Sequence, residues 1–427
     1  MLIIKNGTLV NPAGKSGKLD IVIEDGKISK LCTPGGSKIP DGADVINAEG
    51  LMISPGFVDV HSHFRDPGQT HKEDIYTGAR AAAAGGYTSV VMMANTIPAI
   101  DNEETLSYVL KKGGDTDIKL YSCVNVTKGM QGKELTDMEG LSLAGAVGFT
   151  DDGRPLMNAE LVKEAMRRAA ALGRPVSFHE EDPAYIENNG INHGKASEYY
   201  HIGGSDRQAE TAMISRDIEL ALETGADIDI QHISSKEGVE LVRQGRKRGL
   251  NIHAEATPHH FSLTEDAVIK YGAYAKMNPP LRTEEDRLAV IEGLMDGTIE
   301  MIATDHAPHT GEEKDKGLLE APSGIIGLET AFSLALEYLV EPGFLTMEQM
   351  IDRISTGPAR VYKLDAGVIE EGKDADLTVF DPDERWTYGS FIVSKASNTP
   401  FIGHEMHGRI RLVLCRGKNV YGAWESE

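Results

Sequence analysis

The residue types best suited to chemistry first appear in "PGFVDVHSHFRDPG", residues 55 to 68, where an apolar run ends in His61 and His63. Side chains two apart in an extended strand share a face, so two imidazoles here can grip one ion together. Farther along, Asn95, Asp151, Asp152, His179, His232, His259, His260 and Asp305 also end or follow short apolar runs. A lone strand-end histidine is more often a hydrogen-bonded structural residue, and a lone aspartate more often caps the next helix. Four histidines and two aspartates gathered at one end of a sheet are another matter, because burying them is costly unless they are paired or metal-bound. Imidazole and carboxylate without thiolate suit Zn²⁺ in an open catalytic site, and Mn²⁺, Co²⁺ and Fe²⁺ are also compatible with these ligand types. Six such ligands exceed one tetrahedral zinc. Two ions sharing a bridging group is therefore the expectation.

The elements that would position these groups are legible as apolar runs: 56–61, 87–94, 117–126, 146–152, 174–180, 227–234, 251–258 and 300–307. Helix-period segments lie between several of them, for example "NAELVKEAMRRAAALG" and "QAETAMISRDIELALETG", each closed by glycine. Eight strands interleaved with helices predict an α/β protein with a (β/α)8 TIM-type barrel, with a doubly wound open sheet as the alternative. In a barrel, catalytic groups gather at the C-terminal strand ends, where the histidines and aspartates fall. The last strand then lies beside the first. Residues 1–52 and 365–427 alternate apolar with polar and carry "NG", "DG" and "EG" turns, so the two termini are expected to pair into a small β domain, with 53–364 as the barrel.

Composition narrows the partners. The chain has 427 residues, 40% hydrophobic and 26% charged, enough for a large core. A net charge of −23, from 43 basic and 66 acidic residues, argues against a general binder of nucleic acid or anionic membrane, and leaves a small-molecule substrate. No basic, apolar leader and no run of ~20 apolar residues is present, so a cytoplasmic protein is expected. Cys32, Cys123 and Cys415 are odd in number and far apart, which suits reduced thiols.

The segments "DVHSHFRDPG", "HKEDIYTGARAAAAGGYTSVV", "ANTIPAID", "FTDDG", "FHEED", "EATPHHF", "KMNPPLR" and "TDHAPHTGEEK" together resemble the dihydroorotases of the amidohydrolase superfamily, in their bacterial longer-chain class. The resemblance runs in order along nearly the whole chain. The pair of histidines marks only the superfamily; the arginine two beyond it, "NTxPxxD", "NPPLR" and "TDHAPH" favour dihydroorotase. The resemblance implies a distorted (β/α)8 barrel with a β-sandwich domain from both termini. It implies two divalent ions, Zn²⁺ foremost, with His61, His63 and Asp305 on one, His179 and His232 on the other, and Asp152 rather than Asp151 bridging. Strand alternation allows only one of those neighbours to point inward. Hydantoinases use a carbamylated lysine at that point, but the fourth strand here ends "GFTDDG".

The implied reaction is the reversible cyclisation of N-carbamoyl-L-aspartate to L-dihydroorotate, a step of pyrimidine biosynthesis. A hydroxide held between the ions would be the nucleophile and Asp305 the general base and acid. His63, Arg65, Asn95, Asn278, His309, Pro322, Ser323 and Gly324 would contact substrate, Arg65 pairing bidentately with its carboxylate. A homodimer and an association with aspartate transcarbamoylase are implied as well. Residues 310–321, "TGEEKDKGLLEA", read equally as a lid or a solvated loop. Ala94 departs from the family's usual proline before "NT". The alternatives are a hydantoinase- or allantoinase-like enzyme, towards which "HISSKEG" points, and a catalytically inactive dihydroorotase-like partner of the transcarbamoylase, which would lack metal ligands.

Overall fold

Alternation of short apolar strands with capped helices builds the central sheet. The structure, a computed structural model, describes residues 1–36, 40 and 42–423. Seven strands come first: β1 (Leu2–Lys5), β2 (Thr8–Leu9), β3 (Gly17–Lys18), β4 (Asp20–Glu24), β5 (Lys27–Cys32), β6 (Asp44–Asn47) and β7 (Met52–Pro55). The next eight are β8 (Phe57–Ser62), β9 (Tyr87–Met92), β10 (Lys119–Val124), β11 (Gly148–Phe149), β12 (Val176–Phe178), β13 (Ile228–Ile230), β14 (Ile252–Ala256) and β15 (Met301–Ile302). These pair in chain order, all parallel. A parallel bridge from Ser62 to His306, and a 2.9 Å hydrogen bond from the His63 N–H to the His306 carbonyl, bring the last strand back to the first. The eight expected strands form this barrel, and the open doubly wound sheet does not occur.

The connecting helices follow the expected caps. Asn158 accepts from the Glu160 and Leu161 N–H groups at the start of helix Ala159–Leu172, and Gly173 ends it at φ 64°, a left-handed conformation glycine adopts without steric cost. That helix buries Val162, Ala165, Met166 and Ala169, one stripe at helical spacing. Truncating a fully buried side chain such as Met166 to alanine costs about 2–5 kcal/mol.

Outside the barrel are two further sheets, one of which includes β16 (Leu377–Thr387), β17 (Glu405–Cys415) and β18 (Lys418–Tyr421). One has the order β5-β4-β1-β6, the other β18-β17-β16-β7-β2-β3, so the second joins both chain ends through the antiparallel β16–β7 pair. Ile4, Ile21, Ile23 and Ile46 from the first pack with Ile53, Leu377, Val379, Leu412 and Leu414 from the second in one apolar cluster. The two sheets thus share a core drawn from both termini. We propose the division into 1–52 with 365–427, and 53–364, as the folding units, with β7 passing from one to the other. Residues 37–39, 41 and 424–427 of the expected β domain lie outside the described residues.

Several strands are shorter than their apolar runs. The 146–152 run contributes two paired residues, β11, so Asp151 and Asp152 follow the strand instead of belonging to it. Likewise His179 follows β12 directly, His232 comes two residues after β13 and Asp305 three after β15. Apart from His61, which lies within β8, the site therefore sits on the loops that leave the C-terminal strand ends.

Candidate active site

Those loops bring the expected ligands into one buried cluster. Asp152 lies at its centre: Oδ1 is 3.5 Å from His61 Nε2, 3.6 Å from His179 Nδ1 and 3.7 Å from His232 Nε2, and Oδ2 is 3.4 Å from His63 Nε2. Asp305 Oδ1 stands 3.0 Å from His63 Nε2 and 3.6 Å from His61 Nε2. His61, His63 and Asp152 form one group that could hold an ion, and Asp152, His179 and His232 a second. Nitrogen and oxygen donors held ~2.0–2.2 Å from a tetrahedral ion lie about 3.3–3.6 Å from one another, which is the spacing found here. His61 Nε2 is buried, has no hydrogen bond and aims into the first group. The donor set fits divalent metal.

Asp151 turns away. Its Oδ1 accepts from the Thr127 N–H at 3.1 Å, and its Oδ2 from the Thr127 hydroxyl.

The outward nitrogens of three of the histidines are also held. His61 Nδ1 lies 2.8 Å from Glu255 Oε2, His63 Nδ1 3.0 Å from Asn95 Oδ1, and His179 Nε2 2.9 Å from Glu181 Oε2. Such partners keep the proton on the outer nitrogen and leave the inner lone pair free for a metal. Asn95 also donates to Asp152 Oδ2 at 3.2 Å, so its amide orients two ligands at once. Glu255 and Glu181 were missed in the sequence. The available signal was a carboxylate inside an otherwise buried strand in "NIHAEA", and one two residues beyond His179 in "FHEED".

Three site residues have left-handed backbone: Arg65 at φ 59°, His232 at φ 34° and Asp305 at φ 46°. Non-glycine residues seldom adopt this conformation, and where they do it often marks a functional site.

Electrostatics bind the cluster together. Burial opposes charge on Asp152, but His61 and the hydrogen bonds from His179 and His232 outweigh it and hold the carboxyl well below its usual range. Asp305 is lowered in the same way, burial being outweighed by the His63 bond and the charge of His61. Burial disfavours the imidazolium of His61, yet Glu255 and Asp152 raise it well above its ordinary value; against the same penalty, bonds from Asp152 and Glu181 raise His179 to about 10. A cation entering the cluster would displace these protons, so its affinity must fall as pH falls.

Above the cluster is a cleft of about 200 Å³ lined by His63, Arg65, Asn95, Asp152, Gly153, His179, His232, Asn278, Asp305, Ala307, His309, Ser323 and Gly324. Seven of the eight expected substrate contacts line it. Pro322 does not; its carbonyl accepts from Lys314 Nζ at 2.9 Å. Arg65 Nε donates to the Pro308 carbonyl at 3.3 Å and its Nη2 lies 3.4 Å from His309 Nε2; among the described residues no carboxylate pairs with its terminal nitrogens. His309 Nε2 donates to the Ser323 carbonyl at 2.9 Å. Burial and the Arg65 charge push His309 down to about 2, so it serves as a neutral hydrogen-bonding group.

Residues 52–420 match the amidohydrolase family. A dihydroorotase of Clostridium acetobutylicum is 52% identical over 423 residues, covering 99% of each chain, and one of Clostridioides difficile is 49% identical, covering 99% of this chain and all of that one. The chain belongs to the dihydroorotases of the amidohydrolase family. Among solved structures, the L-hydantoinase (dihydropyrimidinase) from Arthrobacter aurescens superposes with a TM-score of 0.89 at 26% identity, covering 100% of this chain and 97% of that one. Hydantoinase likeness thus extends over the whole fold, but sequence identity to dihydroorotases is about twice as high. The inactive-partner alternative is disfavoured, since every expected ligand position of a dihydroorotase is filled and clustered. No described helix is long and apolar enough to cross a membrane.

Proposed function

We propose that the protein interconverts N-carbamoyl-L-aspartate and L-dihydroorotate in this cleft, with His61, His63 and Asp305 holding one Zn²⁺, His179 and His232 a second, and Asp152 between them. The observation that carries the reading is one carboxylate shared by two three-residue ligand groups beneath an arginine that lacks a carboxylate partner. When bound, the ions would polarise the amide carbonyl and make water nucleophilic near neutral pH.

The protein's own groups supply the rest. Asp305 lines the cleft beside His63 and stays ionised, so it can take a proton and return it to the departing ring nitrogen, or do the reverse on closure. Arg65 receives the substrate carboxylate through its terminal nitrogens. Asn95 and His309 border that carboxylate, while Asn278, Ser323 and Gly324 face the ring amides. A guanidinium that meets no carboxylate among the described residues favours dihydroorotate over hydantoin, because hydantoin brings no carboxylate. The same reading carries a cytoplasmic homodimer that associates with aspartate transcarbamoylase, and light scattering with and without that enzyme tests it.

Arg65→Ala is the test of the clamp. Losing a charge-assisted pair costs about 1.5–3 kcal/mol, so KM for L-dihydroorotate should rise roughly 10- to 100-fold with metal content intact. Arginine and alanine share the left-handed backbone and the Cβ, so no new strain is expected. An unchanged KM would remove Arg65 from the clamp.

A further inference from the structure

Behind the cleft wall lie two lysines that the chemistry above leaves unused. Lys314, at the end of helix Gly311–Lys314, is 1% exposed, and Lys276 is 6% exposed. Lys314 Nζ donates to the Pro322 and Gly324 carbonyls at 2.9 and 3.1 Å, and Lys276 Nζ to the Leu319 and Ala321 carbonyls at 3.2 and 2.9 Å. Segment 310–321 is thus pinned from within, and Ser323 and Gly324 are held where they line the cleft. Four carbonyls bind the two ammonium groups, and among the described residues no carboxylate pairs with either. The acidic groups nearby are committed elsewhere: Glu313 pairs with Lys72 at 2.8 Å, and Asp315 accepts from the Tyr274 hydroxyl at 3.2 Å. Of the other charged groups on this side, Glu312, Lys316 and Glu320 are exposed, Glu313 raises Lys314 by less than burial and Lys276 lower it, and His309 and Arg65 add no negative charge.

Buried cations without counter-charge are costly, and a pair of them more so. We propose that Lys276 and Lys314 are positioning residues for the substrate wall, and that an anionic substrate supplies the counter-charge they lack. This rests on the dihydroorotate reading of the cleft. Burial, then the charge of Lys276, lowers Lys314 to about 7; burial also lowers Lys276. Lys314 therefore titrates in the working range. An anion added to the cleft in front of Gly324 favours the protonated form of Lys314, so binding takes up a proton above pH 7 and affinity falls as pH rises through that value.

The experiment measures KM and kcat for L-dihydroorotate from pH 6 to 9 with zinc-loaded protein, and zinc content in each variant. In the unsubstituted protein KM should climb above pH 7, approaching about tenfold per pH unit as one proton is taken up. Lys314→Met should raise KM about tenfold at pH 6.5, where the lost charge is present, and flatten the profile, with kcat within about twofold and zinc unchanged. Lys314→Arg should stay low and flat to pH 9. Lys276→Met, which removes the like charge, should move the climb to higher pH. A Lys314→Met protein with the original KM and slope overturns the proposal, and so does one whose kcat and zinc fall together with KM unaltered. Zinc-loaded unsubstituted protein that leaves L-dihydroorotate untouched overturns the functional reading, and this proposal with it.

Discussion

Asp152→Ala should abolish most activity and empty the site held by His179 and His232 first. Asp152 Oδ1 faces both of those histidines and His61 within 3.7 Å, and without it the second ion keeps two neutral imidazoles and no anionic ligand. Loss of an outer-sphere partner already costs roughly 10–100-fold in metal affinity or activity, and removal of a shared ligand should exceed that. Asp151→Ala should keep its metal. Its carboxylate serves Thr127, so the expected cost is an unpaired buried N–H, about 1–3 kcal/mol of stability. Elemental analysis and kcat for the two variants under one metal supply decide the matter. Metal lost from Asp151→Ala and retained in Asp152→Ala would reverse the assignment.

Asp305→Asn should lower kcat by about 10²–10⁴-fold, the usual worth of a positioned proton-transfer group. Asparagine is the informative replacement for two reasons. It tolerates the φ of 46° at this position, and its amide oxygen can still stand beside His63 Nε2, where Asp305 Oδ1 lies 3.0 Å away, and face a bound ion. Backbone and hydrogen-bond geometry are thereby retained while basicity is lost. Metal content should fall by less than in Asp152→Ala, and KM should change little. A kcat within threefold of the original would show that the proton goes elsewhere.

The barrel was readable because each strand's apolar run and each helix's cap agree, as at Asn158 and Gly173. Strand ends were less readable: residues such as Asp151 and Asp152 continue an apolar run but lie beyond the ladder. The expectation that only one of them points inward rested on strand alternation, and that premise does not apply two residues past β11. What separates them is Thr127, whose N–H and hydroxyl take Asp151 from a loop far back in the chain. Likewise Glu255 beneath His61 is 194 residues distant, and no local pattern announces that pairing. Arg65 could be placed because it follows His63 by two. The lysines behind Gly324 could not, since lysine in a polar segment normally signals solvent and only the packing of 310–324 buries Lys314.

Metal stoichiometry measured beside turnover is the most direct test of the account. Purified protein should carry two divalent ions per chain, and absorbance-monitored hydrolysis of L-dihydroorotate should fall in proportion as a chelator removes them. Because the ligands come from distant parts of the chain and bind metal as a set only when folded, chelation should also lower Tm. Re-addition of Zn²⁺ should restore both. Fully active protein that contains no stoichiometric divalent metal would contradict the central claim.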